Sequence, residues 1–259
     1  MRAIWSGSIS FGLVNIPVKL YVASEPKGGL EFDMLHKKDF SPIRYARICR
    51  ADGKEIPFED IVKGYEYSNG DYVVLTDEDF KKANLKKTKS IEISDFANED
   101  EIDTIYFEKP YYLEPQKGAE KAYALLREAL KRSKRVGVAR YVIRNREHIG
   151  ILKTHGNLVL LNQLRYFQEV RNTKELNIPA KEILKKGEID LAIKLIDELT
   201  KPFEPKEYKD TYTEELKKII NKKAKGQLVT PQGEEPVPTK VPDIVSVLRK
   251  SLEQQRHRT

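Results

Sequence analysis

Cysteine is nearly missing: Cys49 is the only one in 259 residues. A single thiol excludes an intramolecular disulfide framework and a cysteine-rich zinc site. It reads as a small buried or half-buried side chain, and it predicts a reducing cytoplasm. Long apolar runs are missing too. No stretch approaches the roughly eighteen residues of a spanning helix, so no membrane partner is expected. Arg2 precedes no continuous apolar core, and the opening reads as structure, not as a signal peptide.

The vocabulary of catalysis is equally thin. The sequence has no G-x-x-x-x-G-K-S/T, no G-x-G-x-x-G, no H-E-x-x-H and no G-x-S-x-G. Its four histidines are scattered. His148 and His155 flank a predicted strand and read as hydrogen-bonded turn residues, not as metal ligands. The acids of Glu99–Asp103 lack the spacing and central glycine of a calcium loop and read as a solvated face. No catalytic residue, metal or cofactor is expected.

What the chain has is charge. Charged residues make up 34% and apolar ones 39%, with a net charge of +7 and a pI of about 9.1. Positive charge alone is weak support for nucleic acid; its distribution says more. Residues 37–54 hold six bases against Asp39 and Asp52, and residues 131–146 hold seven bases and no acid. Residues 92–114 run the other way, with eight acids and Lys109 as the lone base. Segregation of this kind makes a field with direction.

The first residues, MRAIWSGSISFGLVNIPVKLY, alternate loosely between apolar and polar. They predict two half-buried strands, with Gly7 and Gly12 as bends or bulges and Pro17 at an edge or kink. Further strands are predicted at 43–49, 72–75, Ser90–Ile93 and Ile105–Leu113, the last broken by Pro110. Thr76 has the chemistry of an N-cap for a short helix to Ala83, with Asp77, Glu78 and Asp79 in its first turn. Lys117–Arg132 predicts a helix with a stripe of Ala122, Leu125, Leu126, Ala129 and Leu130. Val136–Ile143, His148–Lys153 and Asn157–Leu164 then predict a meander, with Asn145 and Gly156 in its turns. Beyond Tyr166, helices are expected at Ala180–Lys186, Glu188–Leu199 and Tyr212–Lys225. Gln227–Pro242 carries four prolines and reads as a linker. Asp243–Arg256 predicts a short amphipathic helix with Ile244, Val247, Leu248 and Leu252 on one face.

Phosphate binding needs lysine and arginine held in register on a framework. The candidates are Lys37, Lys38, Arg44, Arg47, Arg50 and Lys54 in one cluster, and Arg140, Arg144 and Arg146 in the other. Arg2, Lys19 and Arg165 are weaker candidates. Arg44 and Arg47 stand three apart in a predicted strand and point to opposite faces. Arg140 and Arg144 stand four apart and would share a strand face, with Arg146 in the turn beyond. An ordinary exposed basic surface is the competing reading for any one of them, and it suits the two clusters together less well. No RNP aromatics, zinc-finger spacing or basic zipper suggests base reading, so sequence-independent backbone binding is the default. A nuclease would need clustered carboxylates or histidines, which do not assemble. The alternative that survives is a basic β-barrel that binds RNA without end specificity.

The opening also closely resembles that of the bacterial Ku proteins, the DNA-end-binding subunits of non-homologous end joining. EDIVKGYEYSNGDYVVLTDEDF (59–80), EIDTIYFEKPYYLEP (101–115), KAYALLREAL (121–130) and LIDELTKPFEPKEYKDTY (195–212) are similar to that family's blocks, in the family's order. The resemblance implies a mixed α+β fold: a Ku-type β-barrel core with an inserted bridge, forming a ring as a dimer, and a helical C-terminal arm. On this sequence it implies a core at 1–170 with the bridge at about 25–110, the arm at 171–226, a linker at 227–242 and a final helix at 243–259. It implies no catalysis. Its partners are double-stranded DNA ends, a second copy of the chain and an ATP-dependent end-joining ligase, in the cytoplasm at the nucleoid. Lys63 would join the first basic cluster in lining the channel, and the acidic run 92–114 would sit away from it. The face of Ile244, Val247, Leu248 and Leu252 would dock the ligase.

The match departs in two places. Some relatives carry a second cysteine soon after the position of Cys49; here the run is CRADGKE, which leaves a metal in that loop unsupported. Many relatives also end in a long lysine-rich tail. Here the sequence stops at Thr259, which leaves tail-dependent bridging of ends unsupported.

Overall fold

The structure, a computed structural model, describes residues 1–25, 29–83, 89–144, 146–179, 186–228 and 244–256. Met1–Asn172 make one compact unit and Thr173–Thr259 a second. Strands β1 (Trp5–Phe11) and β2 (Val14–Val22) form a hairpin that turns at Gly12, whose φ is 55°. Ile9, Ile16, Val18 and Leu20 are fully buried at alternate positions, as the sequence pattern requires. Gly7 lies within β1, not at a bend; a Cβ there would stand 2.3 Å from the Lys89 carbonyl oxygen.

After β2 the chain leaves and returns. The excursion carries β3 (Lys63–Ser68), β4 (Asp71–Leu75) and α1 (Asp77–Ala83). Thr76 caps α1 reciprocally: its Oγ accepts the Asp79 N–H at 3.3 Å, and Asp79 Oδ2 accepts the Thr76 N–H at 2.9 Å. The strand expected at 43–49 does not form; that stretch holds only the isolated bridge Ile48–Glu55 beside Leu35–Pro42. Its backbone groups are used in short local loops instead. Strand β3 was not expected. Its signal was Asn69–Gly70 between alternating runs, with Gly70 at φ 86° in the hairpin turn.

Strands β5 (Ser90–Asn98), β6 (Phe107–Pro115), β7 (Arg135–Ile143), β8 (Arg146–His155) and β9 (Leu158–Leu164) complete a closed barrel in the order β1-β2-β6-β9-β8-β7-β5. The seam of Ser8–Ser10 on Ser90–Glu92 is parallel and every other neighbour antiparallel. Strands β5 and β6 belong to the barrel, so an insertion reaching to about residue 110 is too long; it ends before Ser90. Neither Pro17 nor Pro110 marks an edge or break. The ladder uses only their carbonyls, which accept the Gln116 N–H at 2.9 Å and the Ala23 N–H at 3.2 Å.

Helix α2 (Glu120–Ser133) closes one barrel end with Tyr123, Leu126 and Leu130. The expected stripe included Leu125, which is 68% exposed, and omitted Tyr123. The Tyr123 hydroxyl donates to the Leu113 carbonyl at 2.6 Å and accepts the Val159 N–H at 2.7 Å, tying the helix to β6 and β9. On the outer face of the barrel, Val136, Ile151 and Leu164 are covered by Ile102, Tyr106 and Phe107.

The second unit holds α3 (Lys186–Leu199), α4 (Thr211–Ala224) and α5 (Ile244–Arg256). Asp210 caps α4, accepting the Thr213 N–H at 3.0 Å. All but the last residue of the helix expected at Ala180–Lys186, and most of the proline-rich linker, lie outside the described residues. No helix among the described residues is long and apolar enough to cross a membrane.

Candidate nucleic-acid interface

Local loops, not a strand, carry the basic residues of the insertion. The Phe40 N–H bonds the His36 carbonyl at 2.7 Å and the His36 N–H bonds the Ser41 carbonyl at 2.8 Å. Asp39 sits inside this loop and accepts the Ser41 N–H at 3.0 Å. That bond, with His36 beside it, holds the Asp39 carboxyl below its ordinary range. Lys37 and Lys38 occupy the turn and face solvent. A second loop closes from the Cys49 N–H to the Lys54 carbonyl at 2.8 Å, with Gly53 at φ 73° and Arg50 at the tip.

Aromatic rings and carboxylates steady the other side chains. Arg44 pairs with Glu55 at 3.4 Å, and Lys54 with Asp52 at 3.5 Å. The Arg47 guanidinium lies 5.2 Å above the Phe58 ring. Lys63 lies 3.6 Å from Asp77 and 4.8 Å above the Phe80 ring. All seven cations are exposed. Pairs this open to water are weak and leave the cations free to exchange partners. Lys37, Lys38 and Arg50 have no acidic partner among the described residues.

The barrel carries the other three. Arg140 projects outward from β7 between buried Ala139 and Tyr141, opposite Glu92 of β5. Arg144 does not share its strand face. Strand β7 ends at Ile143, and Arg144 sits in the turn at φ 52°. Arg146 is not in the turn but opens β8, where it bonds Glu169 at 2.8 Å. Arg144 and Arg146 instead meet at the barrel end away from α2, where they line a cavity of about 320 Å³ with Lys109, Glu108 and His148. Lys109 was not among the sequence candidates. It is the only base in an acidic run, and what brings it here is its register against Gln163 of β9.

Gln163 is the buried polar residue at the floor of this cavity. Its Oε1 accepts the hydroxyls of Tyr111 at 3.3 Å and Tyr141 at 3.4 Å, and its Nε2 donates to Glu108 at 2.8 Å. Burial pushes both phenol pKa values up, so both stay protonated donors. His148 stacks on Tyr141 with centroids 5.6 Å apart. Burial, then the Arg146 charge, holds its imidazole below the ordinary histidine value.

The face expected to dock a partner is partly covered. Helix α5 packs on α3. Leu248 and Leu252 are half-buried, Val247 is 41% exposed, and the backbone of Ile244 opens the helix. Among the described residues, no group of histidine, cysteine or carboxylate side chains is placed to hold a metal.

Residues 10–191 match the family model of the Ku70/Ku80 beta-barrel domain. Relatives named non-homologous end joining protein Ku align along nearly the whole chain. The protein of Opitutus terrae is 43% identical over 98% of this chain and 92% of its own. That of Bacillus subtilis is 42% identical over 99% and 83%. That of Archaeoglobus fulgidus is 43% identical over 98% and 99%. With the closed barrel and its long insertion in place, the chain belongs to the Ku family of non-homologous end joining proteins.

Proposed function

We propose that the chain binds the ends of double-stranded DNA, without regard to sequence, as a ring-shaped homodimer at the nucleoid. There it recruits and stimulates an ATP-dependent end-joining ligase. One observation carries this reading: no residue from Gly29 to Phe80 is buried. The insertion nevertheless displays Phe32, Phe40, Phe58, Tyr65 and Val73 beside its seven cations. Exposed apolar surface on that scale is a surface awaiting a partner. A second copy meets the need by symmetry, since the same exposed apolar patch on each copy can cover the other. Two such arms enclose a space lined by Lys37, Lys38, Arg44, Arg47, Arg50, Lys54 and Lys63, with Arg140, Arg144 and Arg146 added from the barrel. The contacts are to phosphates, so affinity falls with salt at a log–log slope of about −0.9 per neutralised phosphate. The ligase docks on the final helix, with Ile244, Val247, Leu248 and Leu252 turned to it once α5 leaves α3.

A competition assay run beside light scattering tests this. Linear duplex is expected to displace labelled linear duplex, and a relaxed circle of equal mass is not, because a ring cannot pass onto a covalent circle. Light scattering is expected to give the mass of a dimer. Equal competition by the circle, or a stable folded monomer at micromolar concentration, overturns the ring. Truncation after Leu228 is expected to leave end binding intact and to abolish ligase stimulation; full stimulation by the truncated chain moves the docking surface elsewhere.

A further inference from the structure

Arg144 holds its place at a conformational cost. Ile143 of β7 pairs with Arg146 of β8, and Arg144, just past the end of β7, takes the left-handed conformation at φ 52°. Asparagine or glycine enters that region readily, whereas other residues enter it against a steric clash of their Cβ. No acid pairs with Arg144 among the described residues, so no ion pair offsets the strain. Its side chain instead lines the cavity together with Tyr111. Strain without structural compensation is a pointer to function.

The walls and floor agree. Lys109, Arg144 and Arg146 face one carboxylate, Glu108, which is already engaged by Gln163 at 2.8 Å. Lys109 lies 5.8 Å above the Tyr111 ring and has no acidic partner among the described residues. His148 is held toward its neutral form, so it adds no charge and retains a donor. Glu169 takes up part of Arg146 from outside. Three bases against Glu108 and Glu169 leave the balance cationic, with Lys109 and Arg144 as the bases that no acid pairs among the described residues. A planar guanidinium and an ammonium on opposite walls suit a phosphate: the first bonds two oxygens at once, and the second reaches a third.

We propose that this cavity at the open end of the barrel is a phosphate-binding pocket, with Arg144 and Lys109 as its principal ligands. The inference deepens the reading above, because a duplex backbone is one source of such a phosphate. A free phosphate-bearing small molecule is the other.

Calorimetric titration of the full-length protein with inorganic phosphate, near neutral pH, tests it. Arg144→Asn keeps a residue suited to the turn and is expected to weaken phosphate on the order of tenfold, with melting temperature unchanged or raised. Lys109→Gln is expected to weaken it several-fold. Glu108→Gln removes the competing charge and is expected to tighten it, a sign that structural damage does not produce. Repeating the titration with saturating blunt duplex separates the sources. Loss of phosphate binding under duplex assigns the pocket to a backbone phosphate, and retention assigns it to a free ligand. If no duplex binds at all yet phosphate binding still follows Arg144, the pocket stands and the end-binding reading falls. Wild-type phosphate affinity in both Arg144→Asn and Lys109→Gln, or weaker binding in Glu108→Gln, overturns the proposal.

Discussion

The barrel and the insertion are built from the same chain on opposite terms. The barrel buries Ile9, Ile91, Leu113, Tyr141 and Leu161 around one axis and closes its own sheet, so it has no free edge. The insertion buries nothing from Gly29 to Phe80 and keeps its shape through short loops and one two-stranded hairpin. Among the described residues, no hydrogen bond joins 29–83 to the barrel. A two-stranded ribbon is marginal by itself in water. Stability therefore resides in the barrel, while the insertion leaves its apolar and cationic side chains exposed.

Separate mutations break the two regions separately. The largest effect is expected on binding. Reversing Arg44, Arg47 and Arg50 to glutamate is expected to weaken duplex binding on the order of a thousandfold, equally for all sequences, and to flatten the salt slope. The melting temperature is expected to hold, because all three side chains are exposed. Wild-type affinity and slope in fluorescence anisotropy would remove this cluster from the DNA face.

The next effect is on folding. Leu161→Ala, at a fully buried site on β9, is expected to cost roughly 3 kcal/mol in denaturant unfolding. Duplex affinity of the fraction that remains folded should be near wild type. A parallel loss of affinity would show that barrel and insertion act as one body.

The smallest effect sharpens the division at the cavity. His148 has its pKa lowered by burial and by Arg146. As pH falls below the ordinary histidine value of about 6.5, the unfolded chain takes up a proton that the folded ring refuses. Stability present above that pH is therefore lost on acidification. His148→Gln is expected to flatten the decline in melting temperature across that window by a few degrees or less. An unchanged profile would place the acid sensitivity elsewhere.

The sequence by itself determined the elements whose signals are local. Alternation at Ile16, Val18 and Leu20 marked a strand, because side chains of a strand point to two faces in turn. Thr76 with Asp79, and the meander through Gly156, were equally legible, because a cap or a tight turn involves only residues a few positions apart. Only the tertiary structure decided which residues meet. Lys109 in an acidic run and Arg144 in a basic one share a cavity because β6, β9, β8 and β7 are neighbours in that order. Tyr123 displaced Leu125 from the buried face of α2 because two backbone partners, on β6 and β9, take its hydroxyl. Ser90–Asn98 and Phe107–Pro115 joined the barrel because a parallel seam with β1 and a register with β9 needed them. Pairing across fifty or more residues depends on closing the whole sheet, and no local pattern in the chain encodes that closure.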